Sequence, residues 1–314
     1  MEIILGKMAG FCGGVKNAID KTYKEAENLT EEIYCLGDLV HNPVVLKKLE
    51  KMGVKIINNL NEVPNPDGKT VIIRAHGVTK DIYEQANKMG IKIKDLTCPK
   101  VLKIHDFVSD YAKNGDYIFL IGEEKHPEVI GTKSFCGENC TVIENEVQLD
   151  EAIEKIKVKL NKKTEDSKID NNSQHIEKDN KRKLVIVAQT TFNLEKFKEF
   201  EEKIKQELSN SMEVIVNNTI CDATRLRQEE TDKLSKEVNG IIVIGGKKSS
   251  NTNKLYQISL SNCENAVMVE DESDLESVLK QFKSCKKIGV MAGASTPEET
   301  INNVIVMLEN AFNK

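Results

Sequence analysis

The chain has 314 residues, with 45 basic and 50 acidic side chains and a net charge of −5. This length predicts two or three domains or one large α/β unit, and the mixed, mildly acidic charge does not indicate nucleic-acid binding by bulk charge. The apolar runs are too short to cross a membrane, and the N-terminus lacks the basic and long apolar regions of a signal peptide. We therefore expect a cytoplasmic protein with neither a membrane nor a nucleic-acid partner.

Short, mostly β-branched apolar runs alternate with amphipathic helical patterns along the chain. The runs predict buried parallel strands at residues 33–37, 71–74, 117–122, 184–188, 240–245 and 287–292. Helical patterns occupy residues 12–26, 43–52, 80–89, 100–113 and 224–238. Shorter strands are expected at residues 54–57, 141–143 and 266–269. This alternation predicts an α/β protein with mainly parallel sheets.

Three of the eight cysteines occupy matching places in an internal repeat. Cys12, Cys98 and Cys221 each follow an extended run and precede a helical pattern. A glycine ends the next strand 24 or 25 residues later, and a polar residue follows 28 or 29 residues after the cysteine. These polar residues are His41, His126 and Ser249. Equal spacing in three places indicates three copies of one α/β plan.

The repeat divides the chain into three pseudo-symmetric α/β units. We expect their boundaries at residues 1–97, 98–220 and 221–314. The second unit carries a charged insertion at residues 161–183, in which 12 of the 23 side chains are charged. Because this segment has too few apolar groups to form a core, we expect it to be disordered.

The three repeated cysteines predict a metal or cluster site. Loops at the carboxyl ends of parallel strands carry function, so three units around a pseudo-threefold axis, in a trefoil, would direct Cys12, Cys98 and Cys221 into one cavity. Each thiol would lie at a helix N-terminus, which favours the thiolate. Zinc is one candidate, although structural zinc sites usually use close ligand pairs. An iron–sulfur cluster accepts well-separated thiolates, and a [4Fe–4S] cluster with three ligands leaves one iron open.

Other polar residues in the matching loops predict an anion site and a proton donor. Three histidines and several neutral donors suit a phosphate or diphosphate: His41, His76, His126, Thr191, Ser249, Ser250, Asn251 and Ser295. Glu128 is a candidate proton donor inside a closed cavity, and Thr190 can relay that proton or hold a hydroxyl. A cluster, an anion pocket and an acid together indicate reductive removal of a hydroxyl from a phosphorylated substrate.

The remaining cysteines favour structural roles, and two other functions stay open. Cys35, Cys263 and Cys285 lie in apolar surroundings that predict simple burial, and a structural role is also expected for the pair Cys136 and Cys140. An iron–sulfur redox sensor would need no anion pocket. An iron–sulfur hydro-lyase would use the open iron only as a Lewis acid, and the need for a reductant separates it from a reductase.

Nine motifs in order resemble one known family, the 4-hydroxy-3-methylbut-2-enyl diphosphate reductases of the IspH/LytB type. They span residues 9–15, 40–43, 74–78, 97–99, 126–129, 189–191, 219–224, 249–252 and 293–297. The resemblance covers essentially the whole chain except residues 161–183.

The resemblance implies a three-domain trefoil around a [4Fe–4S] cluster that Cys12, Cys98 and Cys221 hold. It implies that the histidines, Ser249, Ser250, Asn251 and Ser295 bind the diphosphate, and that Glu128, Thr190 and His126 are catalytic. The implied reaction reduces 4-hydroxy-3-methylbut-2-enyl diphosphate, an allylic diphosphate, to isopentenyl and dimethylallyl diphosphate. This is the last step of the non-mevalonate isoprenoid pathway, and it requires an external one-electron donor such as ferredoxin or flavodoxin.

Overall fold

The computed structural model describes residues 1–28, 32–166 and 182–312. Within these residues, twelve strands form: β1 (Glu2–Leu5), β2 (Ile33–Leu36), β3 (Val54–Ile57), β4 (Thr70–Ile73), β5 (Lys92–Asp95), β6 (Tyr117–Ile121), β7 (Cys140–Ile143), β8 (Leu184–Ala188), β9 (Val214–Val216), β10 (Gly240–Ile244), β11 (Ala266–Val269) and β12 (Lys287–Ala292). The predicted buried strands are confirmed, with ends that differ by a residue at most.

Helices separate these strands in the predicted alternation. The described residues form α1 (Gly13–Asn28), α2 (Pro43–Lys51), α3 (Lys80–Lys88), α4 (Pro99–Lys113), α5 (Pro127–Lys133), α6 (Glu146–Asp166), α7 (Leu194–Leu208), α8 (Asp222–Glu237), α9 (Ser250–Asn262), α10 (Glu272–Val278) and α11 (Glu298–Phe312), with short 3-10 helices at Leu60–Glu62 and Leu279–Phe282. None of the described helices is long and apolar enough to cross a membrane.

The strands of the described chain form three four-stranded parallel sheets. Their strand orders are β3-β2-β4-β5, β7-β6-β8-β9 and β1-β12-β10-β11. Every residue of β2, β6, β8 and β10 is buried, as expected for strands that helices cover on both faces. Three parallel-sheet α/β units are therefore confirmed.

Strand β1 joins a sheet far from it in sequence. It pairs in parallel with β12, with Glu2 opposite Lys287 and Leu5 opposite Val290. The first residues of the chain thus complete the sheet that the last third of the chain forms, which the repeat pattern does not predict. The boundaries at residues 97 and 220 stay a prediction.

By its internal contacts the chain divides into two compact units. Unit 1 comprises Met1–Ala75, Asp81–Cys98 and Cys221–Lys314, and unit 2 comprises His76–Lys80 and Pro99–Ile220. Unit 1 contains the first and last sheets, and unit 2 contains the middle sheet. Each unit has its own apolar core beside its sheets.

The predicted insertion is only partly within the described residues. Residues 161–166 continue helix α6, so the expectation of disorder was wrong for them. The local sequence lacks apolar groups, but a helix that is already nucleated adds one hydrogen bond for each further residue. At the other end, the Lys183 N–H donates to Asp116 Oδ1 and leads into β8. Residues 167–181 lie outside the described residues.

Candidate active site

All three repeated cysteines of unit 1 lie directly before a helix. Cys12 precedes α1, Cys98 precedes α4 and Cys221 is the N-cap of α8. The Cys12 N–H donates to the Ala294 carbonyl at 3.2 Å, and the Cys98 N–H donates to the Ala75 carbonyl at 2.9 Å. Because these carbonyls follow β12 and β4, both cysteines lie at the carboxyl ends of strands, as predicted.

The Cys98 thiol lies against the start of helix α1. A side chain at Gly14 would place its Cβ 2.8 Å from Cys98 Sγ, so glycine is needed there for the sulfur to approach. Gly14 is two residues after Cys12, so Cys12 and Cys98 lie in the same part of unit 1. On α8, Cys221 Sγ contacts Thr224 Oγ1 at 3.2 Å.

These three thiols differ from most of the other cysteines in exposure. Cys12, Cys98 and Cys221 are half-buried, and the described cysteines form no disulfide. Cys35, Cys136, Cys263 and Cys285 are buried, and Cys140 is half-buried. Burial raises the pKa of Cys35 to about 12, which makes it a poor metal ligand. Three partly accessible thiols at helix starts, none of them in a disulfide, fit the donor set of an iron–sulfur cluster.

Unit 1 also contains buried polar atoms that lack a partner. Asn251 and Ser295 are 3% and 6% exposed, yet the Asn251 amide atoms and Ser295 Oγ have no hydrogen-bond partner within the described part of the chain. Both follow neighbouring strands, β10 and β12, of one sheet. Ser249, which lies between β10 and Asn251 in the sequence, caps α9 by accepting from the Thr252 N–H at 3.3 Å. Unpaired buried donors cost about 1–3 kcal/mol each, so the arrangement indicates a ligand.

His41 lies beside the same loop of unit 1. A Cβ at Gly246 would lie 2.3 Å from the His41 carbonyl oxygen, so glycine lets the loops after β2 and β10 meet. Burial lowers the pKa of His41, and the nearby Arg74 and Lys248 charges lower it further, although Asp38 opposes them. The imidazole is therefore neutral near pH 7, and a bound anion would favour its protonation.

Unit 2 contains a buried carboxyl group that is fully engaged by one threonine. Glu128, on α5, is 2% exposed. Its Oε1 accepts from the Thr190 N–H at 2.6 Å, and its Oε2 accepts from Thr190 Oγ1 at 2.7 Å. Burial raises the pKa of Glu128 to about 7, although the two bonds from Thr190 lower it. A carboxyl group that titrates near neutral pH is suited to donating a proton.

Two histidines of unit 2 lie close to this carboxyl group in the fold. His126 is the N-cap of α5, where its Nδ1 accepts from the Glu128 N–H at 3.2 Å. In the neutral ring the proton therefore lies on Nε2. The rings of His76 and His126 meet edge to face, with 5.3 Å between their centroids. The segment His76–Lys80 packs on α5, since the Lys80 N–H donates to Ser134 Oγ at 3.0 Å.

The next residues after strand β8 complete the set in unit 2. Thr191 is half-buried, and its Oγ1 accepts from Gln189 Nε2 at 2.8 Å. Gln189 Oε1 in turn accepts from the Glu123 N–H at 2.9 Å. The sequence analysis did not select Gln189 as a site residue, although it stands directly before Thr190 in a motif.

Two arginines of unit 1, the half-buried Arg74 and the buried Arg227, were also not predicted as site residues. Arg74 packs over Gly37, where a Cβ would lie 2.2 Å from its Nη1. Arg227, on α8, is 2% exposed and donates to the Gly10 carbonyl at 2.5 Å. Arg74 precedes the predicted His76 by two residues, and this proximity could have indicated it as a site residue. The sequence contains no such indication for Arg227, because a single basic residue in a helical pattern is usually solvated.

The chain matches one protein family along nearly its whole length. The profile of that family, described as LytB protein, matches residues 3–309. A 4-hydroxy-3-methylbut-2-enyl diphosphate reductase of Clostridioides difficile strain 630 is 39% identical, over 99% of this chain and 100% of the relative. A protein of the same name from Thermoanaerobacter sp. strain X514 is 38% identical, over 97% of this chain and 96% of the relative.

Solved structures give the same result. The E-1-hydroxy-2-methyl-but-2-enyl-4-diphosphate reductase from Plasmodium falciparum has a TM-score of 0.83 and 32% identity, over 98% of this chain and 88% of that chain. A structure of (E)-4-hydroxy-3-methyl-but-2-enyl diphosphate reductase, described as the terminal enzyme of the non-mevalonate pathway, has a TM-score of 0.65 and 35% identity, over 99% and 100% of the chains. The resemblance noted in the sequence is confirmed, and the chain belongs to the LytB protein family.

Proposed function

We propose that this chain is an oxidoreductase that converts 4-hydroxy-3-methylbut-2-enyl diphosphate to isopentenyl and dimethylallyl diphosphate, in the last step of the non-mevalonate pathway. Its family and the names of its relatives support this activity. The observation that carries the proposal is the trio of half-buried thiols at helix starts, none of them in a disulfide, in a chain that matches the family from residue 3 to residue 309.

The proposed cofactor is a [4Fe–4S] cluster that Cys12, Cys98 and Cys221 hold. When bound, such a cluster supplies single electrons and, at its one iron without a protein ligand, a Lewis-acid position for the substrate hydroxyl. The position of the three half-buried thiols before helices and the close approach of Cys98 Sγ to Gly14 support the assignment.

The proposed diphosphate ligands of unit 1 are Ser249, Ser250, Asn251, Ser295 and His41. Asn251 and Ser295 support this role because their buried polar atoms have no hydrogen-bond partner among the described residues. His41 would take up a proton as the diphosphate binds, since an adjacent anion raises the pKa that burial had lowered. In unit 2 we assign substrate contacts to His76, His126 and Thr191.

Glu128 is the proposed proton donor, and Thr190 is the proposed contact to the substrate hydroxyl. Reduction of the allylic alcohol needs two electrons and two protons, because the carbon–oxygen bond breaks, water leaves and one carbon gains hydrogen. With a pKa of about 7, Glu128 is protonated in about half of the molecules near neutral pH. The hydrogen bond between Thr190 Oγ1 and Glu128 Oε2 supports a relay through this hydroxyl, which would accept from Oε2–H once Glu128 is protonated and donate its own proton onward. The neutral Nε2–H of His126 is a further donor for an anionic substrate.

The proposed partner is a one-electron donor such as ferredoxin or flavodoxin, and the cytoplasmic location stays a prediction from the sequence. The reaction class itself requires such a donor, because a cluster passes on single electrons whereas the overall reduction uses two.

Anaerobic turnover tests the proposal. The purified chain is loaded with iron and sulfide, and then assayed with the hydroxylated allylic diphosphate and a strong one-electron reductant. We expect both isomeric diphosphates to form only when the reductant is present. Loss of the hydroxyl without reductant would instead identify a hydro-lyase. No turnover by protein that carries four irons per chain would refute the proposed reaction.

A further inference from the structure

Arg227 is a buried cation that joins two cysteine-bearing segments of unit 1. It lies on α8, six residues after Cys221. Its Nη1 donates to the Ala223 carbonyl at 2.8 Å, and its Nη2 donates to the Gly10 carbonyl at 2.5 Å. Gly10 lies two residues before Cys12, so one guanidinium group binds the backbone beside both cysteines.

Glu230 binds the same loop one helical turn further along α8. Its two carboxylate oxygens accept from the Lys7 and Met8 N–H groups, at 2.7 and 2.8 Å. Arg227 and Glu230 therefore hold opposite ends of the short segment that leads to Cys12. Because the two side chains project from α8, whose N-cap is Cys221, they fix the position of Cys12 relative to Cys221.

The negative groups around Arg227 offset only part of the free-energy cost of burying its positive charge. A guanidinium group that is 2% exposed needs negative partners nearby. Burial lowers the pKa of Arg227, and the groups that oppose this effect are Cys12, Cys221 and Glu230. Glu230 is also engaged by two backbone donors. Arg227 Nε, moreover, has no hydrogen-bond partner in the part of the chain that the structure describes. The other groups that oppose the effect of burial are therefore the thiol groups of Cys12 and Cys221, which flank the two backbone carbonyls that Arg227 binds.

We infer that Arg227 is a positioning residue for the redox group of this chain. It fixes the position of Cys12 relative to Cys221, and its positive charge favours the reduced form of the group that these cysteines bind. Reduction adds negative charge, which a nearby buried cation stabilises through a weakly screened interaction. This inference rests on the proposed function, because it requires Cys12 and Cys221 to hold a cluster.

Three variants separate the charge of Arg227 from its packing. Arg227→Gln removes the charge, Arg227→Lys keeps it with fewer donors, and Glu230→Gln loosens the same loop while it removes a negative charge. Each protein is loaded anaerobically with iron and sulfide, its iron is counted, and its midpoint potential is measured by a redox titration followed by electron paramagnetic resonance.

For Arg227→Gln we expect the equilibrium to shift about tenfold toward the oxidised form, which corresponds to about 59 mV for a one-electron couple. Arg227→Lys should stay within about threefold of the unchanged protein, because the charge is kept. Glu230→Gln should not shift toward the oxidised form, although it should lose iron faster than the unchanged protein.

Equal potentials in Arg227→Gln and the unchanged protein would overturn the inference and leave the proposed function standing. A shift of the same size and direction in all three variants would also overturn it, since loosened packing would then explain the effect. If Arg227→Gln does not fold, the other two variants decide the question: a shift of more than about threefold toward the oxidised form in Arg227→Lys, or any shift toward the oxidised form in Glu230→Gln, would overturn the inference. Failure of the unchanged chain to bind a cluster would overturn both proposals.

Discussion

The candidate site residues of the two compact units differ in their hydrogen bonding. In unit 1, buried polar atoms of Asn251 and Ser295 lack partners among the described residues. In unit 2, the carboxyl group of Glu128 accepts two hydrogen bonds from Thr190. The protein itself therefore fixes the carboxyl group of unit 2, whereas it leaves these polar atoms of unit 1 unpaired.

This difference indicates a division of labour between the units. Buried groups without a protein partner gain most from a bound ligand, so Asn251 and Ser295 of unit 1 should act mainly on the affinity for the proposed diphosphate. A carboxyl group whose position is already fixed is ready to react, so Glu128 of unit 2 should act mainly on the rate. Substitutions in the two units should therefore affect different measured quantities.

The largest effect is expected from Cys98→Ser in unit 1. A serine hydroxyl does not replace a thiolate as an iron ligand, so the variant should lose nearly all bound iron, its brown colour and its turnover. Iron and sulfide analysis after anaerobic loading measures this loss. Cys140→Ser is the matched control, because Cys140 is also half-buried and in no disulfide. Full iron in Cys98→Ser would remove Cys98 from the ligand set.

Glu128→Gln tests the role of unit 2 in the rate. The amide keeps the shape of the carboxyl group but carries no acidic proton, so kcat should fall by about 100-fold or more. Iron content and KM should stay near those of the unchanged protein, since none of the proposed cluster ligands or diphosphate ligands is changed. Steady-state kinetics under anaerobic conditions measure both constants.

The exposed Glu124 provides the control for this substitution. It lies four residues before Glu128 and pairs only loosely with Lys133, at 3.8 Å. Glu124→Gln should therefore leave kcat unchanged. A KM that rises while kcat is maintained in Glu128→Gln would reverse the assignment of the two units.

Sequence patterns predicted the parts of the fold that depend on local apolar runs. Strands β3 and β11 occur at the predicted residues, because each is a short apolar run between helices. Strand β5, with the sequence Lys-Ile-Lys-Asp, has exposed charges at both ends and was not predicted. The pairing of β1 with β12 joins opposite ends of the chain, and no local pattern specifies such a contact.

The candidate site shows the same limit. Cys12, Cys98 and Cys221 were predicted from their spacing, because repetition is visible in a sequence. Arg227 was not predicted, because its burial depends on a loop more than 200 residues away in the sequence. The helical pattern around Arg227 contains no trace of that loop. The raised pKa of Glu128 likewise arises from tertiary burial, so sequence could nominate the acid but not its ionisation state.

Asn251→Ala tests whether the unpaired polar atoms of unit 1 await the diphosphate. Loss of one or two hydrogen bonds to a charged ligand costs about 1.5–3 kcal/mol, so KM should rise at least tenfold while kcat changes little. The free energy of unfolding of the ligand-free protein should not fall by more than about 1 kcal/mol, because no existing hydrogen bond is lost.

Ser261→Ala is the control on the same helix, since Ser261 bonds only the Gln257 carbonyl within α9 in the described structure. It should leave KM unchanged. An Asn251→Ala protein that binds substrate normally but unfolds more easily would show that Asn251 has a structural role.

The smallest effect expected is a change in stability with pH at Glu128. The folded pKa of about 7 lies above the unfolded value of about 4.3, so the stability that the protonated group contributes is complete below that lower value and is lost as pH rises through 7. Glu128→Gln stays neutral and avoids this loss. Between about pH 6 and about pH 8.5, its free energy of unfolding should therefore improve by about 1 kcal/mol relative to the unchanged protein.

Urea unfolding followed by circular dichroism measures this difference, and circular dichroism suits a chain that has no tryptophan. Glu124→Gln should follow the unchanged protein at both pH values, because the Glu124 side chain is 56% exposed. A constant difference between Glu128→Gln and the unchanged protein across this range would mean that Glu128 ionises normally. Glu128 of unit 2 would then not be preorganised for proton donation, and the proposed difference between the two units would be wrong.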